Sequence, residues 1–235
     1  MKAYLELTIE AVLFDLGNTL VYSCPEETFH EILRAHGIVE PIDRVKQAMI
    51  KGNQEFDIEK HMHLPAHEFY TKWNLAELKH LGIIDQANAE KLAEEIDSEW
   101  FEYAQLRIYP DVKPTLQRLK QMGLKLGIIT QGFEEDIEKI LPKVGLQTIF
   151  NVCVGANTTG KRKPSPEVFQ HALKKLEMTP KEAVFVGDDI KVDYLGAEKA
   201  GLTPVLIRRE GSATSDIRCI QRLEEIFDVL EQLSP

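Results

Sequence analysis

Cysteine is scarce in this chain of 235 residues: Cys24, Cys153 and Cys219 are far apart and odd in number. Such spacing builds neither a disulfide framework nor a thiolate metal site, and it suits a reducing, cytoplasmic setting. Long apolar runs are missing as well. Nothing approaches the roughly 20 apolar residues that a membrane-spanning helix needs. The opening Met1-Lys2-Ala3-Tyr4-Leu5-Glu6 places acid where a signal peptide would be apolar and offers no small-residue cleavage site. Positive charge is in deficit, with a formal net charge of −10. That argues against nucleic-acid binding, which draws its affinity from a basic face. It leaves room for a small phosphorylated ligand, because a metal offsets charge locally. Repeats, low-complexity tracts and long flexible linkers are absent too.

What is present is enough apolar residue, 43% of the chain, for one large or two modest cores. The organising stretch is Val12-Leu13-Phe14-Asp15-Leu16-Gly17-Asn18-Thr19-Leu20. A short apolar run hemmed by turn residues reads as a buried central strand of a parallel sheet. Asp15 then falls at the carboxyl end of that strand, where open α/β sheets bind ligands. By itself it reads equally as a turn cap or as a functional carboxylate.

The pattern then turns helical. Ser23-Cys24-Pro25-Glu26 resembles a capping box with proline in the first turn, and Phe29, Ile32 and Leu33 keep helical spacing up to Gly37. Further helices are predicted over about 42–57, 66–81 and 86–104, the last with Leu92, Ile96, Trp100 and Tyr103 along one face. From Tyr109 the character changes again. A helix stopping at Gly123, strands over Leu124–Ile129, Ile149–Val154, Ala183–Val186 and Pro204–Ile207, and helices between them give a strand-helix alternation. Ser165 is the predicted N-cap and Pro166 the first residue of one of these helices, and Arg222–Leu233 is a helical tail. The fold class is therefore α/β: a Rossmann-like parallel sheet with helices on both faces, interrupted after its first strand by an all-helical insertion. The expected boundaries are 1–21 with 105–235 for the α/β core and 22–104 for the insertion. Met1–Glu10 reads either as an extra strand or as an extended arm.

Parallel strands place their carboxyl ends on one edge, so Asp15, Thr130, the loop carrying Lys163, and Asp188 with Asp189 should converge. Carboxylates around one point make a hard-oxygen site suited to Mg²⁺. A hydroxyl and a lysine beside it can hold phosphate oxygens.

These stretches, in this order, resemble the motifs of the haloacid dehalogenase-like hydrolases that carry a helical cap after the first motif. Phe14-Asp15-Leu16-Gly17-Asn18-Thr19-Leu20 matches the first motif and Ile128-Ile129-Thr130-Gln131-Gly132 the second. Lys163-Pro164-Ser165-Pro166 matches the third, and Val186-Gly187-Asp188-Asp189 through Asp193, with Gly196-Ala197, the fourth. The resemblance implies Asp15 as a nucleophile forming an aspartyl-phosphate. It implies Mg²⁺ held by Asp15, the Gly17 carbonyl and Asp188. Thr130 and Gln131 would hold the phosphoryl group, Lys163 would neutralise charge, and Asp193 would orient Lys163 or a metal-bound water. Asp189 is either a neighbour of the metal or a helix N-cap, and Thr19 a hydroxyl bracing its loop.

One position departs from the phosphatases of the family. They carry a second aspartate two residues after the nucleophile as general acid and base, and here that residue is Gly17. The expected function remains Mg²⁺-dependent hydrolysis of a small phosphomonoester by a monomer or homodimer. The alternatives are a degenerate member that binds a phosphorylated ligand or protein without turnover, a phosphonate hydrolase using a cap lysine (Lys51, Lys60, Lys72, Lys79 and Lys91 are available), and a metal-free 2-haloacid dehalogenase. His61, His63 and His67 are expected in solvated positions rather than around a metal, and Trp73 and Trp100 in the core of the cap.

Overall fold

The computed structural model describes residues 9–22, 24–83, 85–210 and 217–233. In chain order, β1 (Ala11–Phe14) and β2 (Val21–Tyr22) precede α1 (Pro25–Ala35), α2 (Ile42–Glu55), α3 (Ile58–His61), α4 (Ala66–His80) and α5 (Gln86–Tyr103). Then follow β3 (Arg107–Ile108), α6 (Val112–Gln121), β4 (Lys125–Ile129), α7 (Glu134–Lys143), β5 (Val152–Val154), α8 (Ala156–Thr159) and α9 (Pro166–Leu176). The chain ends with β6 (Ala183–Gly187), α10 (Leu195–Lys199), β7 (Thr203–Ile207), β8 (Cys219–Ile220) and α11 (Ile226–Leu233). It divides into two compact units: one runs to Tyr22 and resumes at Arg107, and the other ends at Leu106.

The first unit holds a six-stranded sheet in the order β5-β4-β1-β6-β7-β8, with every neighbouring pair parallel. β1 lies between β4 and β6, and all four of its residues are fully buried. That double burial is why its sequence is continuously apolar rather than alternating. From β1 the chain builds outward first through β4 and β5, then on the other side through β6, β7 and β8. The strand order therefore switches direction beside β1, which opens a crevice at its carboxyl end. One face of the sheet packs Leu13, Ile129, Val154 and Phe185 against Val168, Phe169, Ala172 and Leu173 of α9. Residues 1–8 of the predicted N-terminal strand or arm lie outside the described residues. Glu10 continues the pairing of β1, donating to Glu182 O at 2.8 Å and accepting from Lys125 N at 2.9 Å.

Two short strands escape the sequence reading. β2 and β3 pair antiparallel, Val21 with Ile108 and Tyr22 with Arg107, at the points where the chain leaves the first unit and returns to it. Two residues carry no periodicity for a sequence pattern to reveal. The same holds for β8.

In the second unit, α1 contributes Phe29, Ile32 and Leu33, α2 Val45 and Ala48, α4 Leu78, and α5 Leu92, Ala93 and Ile96 to one core. Trp100 and Tyr103, on the predicted face of α5, are only partly buried against it. Cys24 occupies the N-cap of α1 with Pro25 first in the helix, while Ser23 of the expected capping box lies outside the described residues. Ser165 stands at the N-cap of α9 as expected, but its hydroxyl donates to the Glu167 carboxylate instead of accepting a backbone N–H. Among the described residues no helix is long and apolar enough to cross a membrane.

Candidate active site

The site is built on the carboxyl edge of the parallel sheet. Asp15 is the first residue past β1, with its N–H donating to Val186 O at 2.8 Å. Lys163 comes from the loop between α8 and α9, and Asp193 from a π-helical turn, Ile190–Tyr194, that follows β6. The Lys163 ammonium donates to Asp15 Oδ1 and to Asp193 Oδ1, each at 2.6 Å. All three side chains are buried, with Asp15 7%, Lys163 3% and Asp193 2% exposed. Asp193 Oδ2 accepts the N–H of Asp189 at 3.1 Å, so both oxygens of that carboxylate are engaged. Two glycines make the approach possible. A Cβ at Gly187 would lie 2.5 Å from the Asp193 Cβ, and one at Gly196 would lie 3.0 Å from the Cα of Pro164.

Asp188, exposed at the end of β6, adds a third carboxylate. Oxygens of Asp15, Asp188 and Asp193 lie within 4.8 Å of one another. Three carboxylates against one ammonium leave the cluster formally at −2, which is costly at a buried edge. The electrostatics reflect the crowding. Burial pushes the Asp15 carboxyl above its usual range, attraction to Lys163 opposes the shift, and repulsion from Asp193 adds to it. Although Asp188 is exposed as a residue, partial desolvation of its carboxylate, followed by the Asp193 charge, raises it to about 6. Burial would pull Lys163 down, but attraction to Asp15 and then Asp193 holds it above the usual lysine range, so it stays a cation. An all-oxygen set with a deficit of two charges fits a hard divalent ion such as Mg²⁺. Asp15 and Asp188 are the carboxylates with capacity for it, since Asp193 is already committed to Lys163 and the Asp189 N–H.

The other expected residues fall into place unevenly. Gly17 lies in a tight loop after β1: Leu16 O accepts the N–H groups of Leu20 at 3.0 Å and Val21 at 2.9 Å, and Asn18 takes a left-handed φ of +53°. Thr130 directly follows β4, and its hydroxyl accepts the Gly132 N–H at 3.3 Å within the same turn. Gln131 donates through Nε2 to the Lys163 carbonyl at 3.0 Å, which makes it a brace for the lysine loop. Its Oε1 is buried with no hydrogen-bond partner among the described residues. Asp189 caps the turn that follows it: Oδ1 accepts from Lys191 N at 2.7 Å and Val192 N at 2.8 Å. Thr19 is fully buried, but its hydroxyl makes no hydrogen bond among the described residues, so the expected bracing by that hydroxyl is not seen. His61, His63 and His67 do not gather. His61 stacks on Phe56 and bonds the Asp57 carbonyl, His67 pairs with Asp97 at 2.6 Å, and His63 is exposed. Trp73 joins Phe56, Phe69 and Tyr70 in a ring cluster.

Two charged residues were not anticipated. Glu77 on α4 is buried, and Arg209 follows β7 with its guanidinium against Asp111 at 2.6 Å. Arg209 lies two residues past a strand run at the same sheet edge as Asp15, a position that does not by itself mark it. Glu77 had no readable signal either, because glutamate is ordinary on a helix.

Fold and site together define an α/β enzyme with a carboxylate-lysine centre at the carboxyl edge of its sheet. The chain belongs to the haloacid dehalogenase-like hydrolases, whose family model matches residues 9–201. It is 31% identical to the glyceraldehyde 3-phosphate phosphatase of Methanopyrus kandleri, covering 96% of this chain and 99% of that one. Among solved structures, it resembles a HAD phosphatase from Thermococcus onnurineus (27% identity, TM-score 0.61, covering 94% and 97% of the two chains). It also resembles a 2-haloacid dehalogenase from Pseudomonas syringae pv. Tomato DC3000 (25% identity, TM-score 0.72, covering 97% and 100%).

Proposed function

We propose that this hydrolase is a Mg²⁺-dependent phosphatase of a small phosphorylated sugar or similar phosphomonoester, working through Asp15. The observation that carries the reading is the buried Asp15–Lys163–Asp193 cluster with Asp188 beside it, short of two positive charges. The phosphatase relatives support it. Asp15 attacks phosphorus, the bond from phosphorus to the leaving oxygen breaks, and water then cleaves the aspartyl-phosphate to release phosphate. Lys163 fixes the Asp15 carboxylate and offsets charge on the phosphoryl oxygens, and Asp193 holds Lys163 in that position. Thr130 supplies a hydroxyl to the phosphoryl group, and Gln131 keeps the lysine loop in register. Asp15, Asp188 and the Gly17 carbonyl would hold Mg²⁺, which would offset the charge of the incoming phosphate. The helical insertion is its cap, with boundaries near 22 and 104.

Gly17 offers no proton to the leaving group, and general acid help is worth about 10²–10⁴-fold. Rates should therefore depend steeply on leaving-group pKa, with aryl and acyl phosphates cleaved far faster than alkyl ones. Equal rates across such a series would point to a replacement acid. The deciding experiment is hydrolysis of p-nitrophenyl phosphate with Mg²⁺, with EDTA and with Asp15→Asn. Turnover that needs Mg²⁺ and vanishes in the variant supports the phosphatase. A dehalogenase would instead release chloride from 2-chloropropionate in EDTA. A ligand-binding protein would keep its ligand in Asp15→Asn and show no turnover in either form.

A further inference from the structure

Arg209 stands two residues beyond β7, and its guanidinium is almost entirely consumed by the first unit's own backbone and side chains. Nη1 pairs with Asp111 Oδ2 at 2.6 Å, the two side chains being 10% and 13% exposed. Nε and Nη2 both donate to the Thr19 carbonyl, at 3.2 and 2.6 Å. Its plane lies over the Tyr109 ring, 4.1 Å from the centroid. Asp111 Oδ2 also accepts the Leu223 N–H at 2.6 Å. Arg209 thus joins three separate parts of the chain: the loop after Asp15, the turn after β3 and the C-terminal segment.

The contact with Thr19 bears on the site. Thr19 is fully buried, and its hydroxyl has no hydrogen-bond partner among the described residues. A buried carbonyl without a donor is destabilising, and Arg209 is the donor here. The loop it holds is short and closed on itself by the Leu20, Val21 and Asn18 N–H bonds. A displacement at Thr19 is therefore transmitted to Gly17 and Asp15 rather than absorbed between them. A planar fork suits this task and an ammonium does not, because two donors meet one oxygen while a third meets the carboxylate.

We propose that Arg209 is a positioning residue for the Asp15–Leu20 loop, fixing the Asp15 carboxylate and the Gly17 carbonyl where they bind Mg²⁺ and where Asp15 attacks phosphorus. The first half of that statement rests on the Mg²⁺ site proposed above and the second on phosphoryl transfer at it. The test compares Arg209→Ala and Arg209→Lys with Arg118→Ala, which removes an arginine stacked on Phe227 of α11 at 3.9 Å. Mg²⁺ affinity is measured by calorimetry, kcat and KM on p-nitrophenyl phosphate, and the melting temperature alongside. Both Arg209 variants should lose about tenfold or more in Mg²⁺ affinity and in kcat, with KM little changed. Guanidinium ion at roughly tens of millimolar should restore part of both losses in Arg209→Ala, by refilling the vacated site between Thr19 and Asp111, and change nothing in Arg118→Ala. Should Arg209→Ala fail to fold, Arg209→Lys carries the test, since it keeps a charge against Asp111 but cannot reach both acceptors. Mg²⁺ affinity and kcat within about twofold of the parent overturn the proposal. So does a loss confined to the melting temperature and untouched by guanidinium. If the parent hydrolyses no phosphomonoester, the phosphatase reading fails on its own while the Mg²⁺ affinities still decide the role of Arg209.

Discussion

Both units of this protein bury acid against a glycine, and they treat the charge in opposite ways. In the α/β unit, Asp193 presses on Gly187, and its carboxylate joins Asp15 around the Lys163 ammonium at 2.6 Å. In the helical unit, Glu77 presses on Gly52 and is 5% exposed, and no cation pairs with it among the described residues. Burial lifts the Glu77 carboxyl from 4.5 to about 8, so at neutral pH it is mostly a neutral core residue. The difference teaches where function sits. A fold keeps charge inside only by surrounding it with counter-charge, and doing so at the carboxyl edge of a parallel sheet creates reactivity. Where no cation is supplied, the buried acid takes up a proton and serves packing.

The strongest way to break this comparison is Lys163→Met. Removing the ammonium leaves Asp15 and Asp193 facing each other. Turnover should fall by at least about 10²–10³-fold, and stability at pH 7 by about 3–5 kcal/mol, as for other buried pairs that lose one partner. Mg²⁺ should recover part of the stability and none of the turnover. Steady-state kinetics and denaturant unfolding with and without Mg²⁺ check this. Unchanged stability would mean that the cluster does not hold its charges as described.

Glu77→Gln tests the other side. The sign follows from the raised pKa. The folded protein holds the proton more tightly than the unfolded chain, so the associated stability is complete below about pH 4.5 and is lost as pH rises toward about 8. The parent should therefore weaken relative to the glutamine variant by about 1.4 kcal/mol per pH unit across that window. Above it the difference should level off. Unfolding followed by tryptophan fluorescence from pH 4 to pH 9 reads the effect, with Trp73 next to the reporter group. Parallel stability curves for the two proteins would show that Glu77 is charged after all.

The same contrast explains what the sequence could reveal. Asp15 and Asp188 are legible because each directly follows a buried strand, and parallel strands bring such ends together whatever their separation along the chain, whereas Lys163 and Asp193 are marked by the resemblance of their stretches to the family's motifs. Helix spacing likewise marks Phe29, Ile32, Leu33, Leu92 and Ile96 as core, and the structure buries all five. The illegible features depend on contacts rather than on pattern. The β2–β3 pair is too short to carry a period. Asp189 and Asp193 are both aspartates near one strand end, and only the turn geometry assigns one to cap backbone N–H groups and the other to hold Lys163. Glu77 looks like any solvated glutamate until α2 is seen against α4. Arg209 becomes meaningful only once Thr19 and Asp111 are known to share its guanidinium.

The finest test of the comparison uses the two glycines. A methyl at Gly187 would fall 2.5 Å from the Asp193 Cβ, and one at Gly52 would fall 2.7 Å from the Glu77 Cγ and 2.9 Å from its Cα. Both are over-packed, and each alanine variant should cost about 1–3 kcal/mol. Their consequences should diverge. At Gly187 the strain falls on the side chain that holds Lys163, so Asp193 must shift and carry the lysine with it. Misplacement of a catalytic cation by a fraction of an ångström lowers kcat, here by about tenfold or more. At Gly52 the neighbour is helix backbone in a neutral core, so α2 and α4 must part slightly, and the loss should appear in the melting temperature of the helical unit with kcat nearly unchanged. Measuring kcat and thermal unfolding on both variants separates a glycine kept for chemistry from one kept for packing. Equal losses of kcat would show that the two buried acids are not divided by role in the way their surroundings imply.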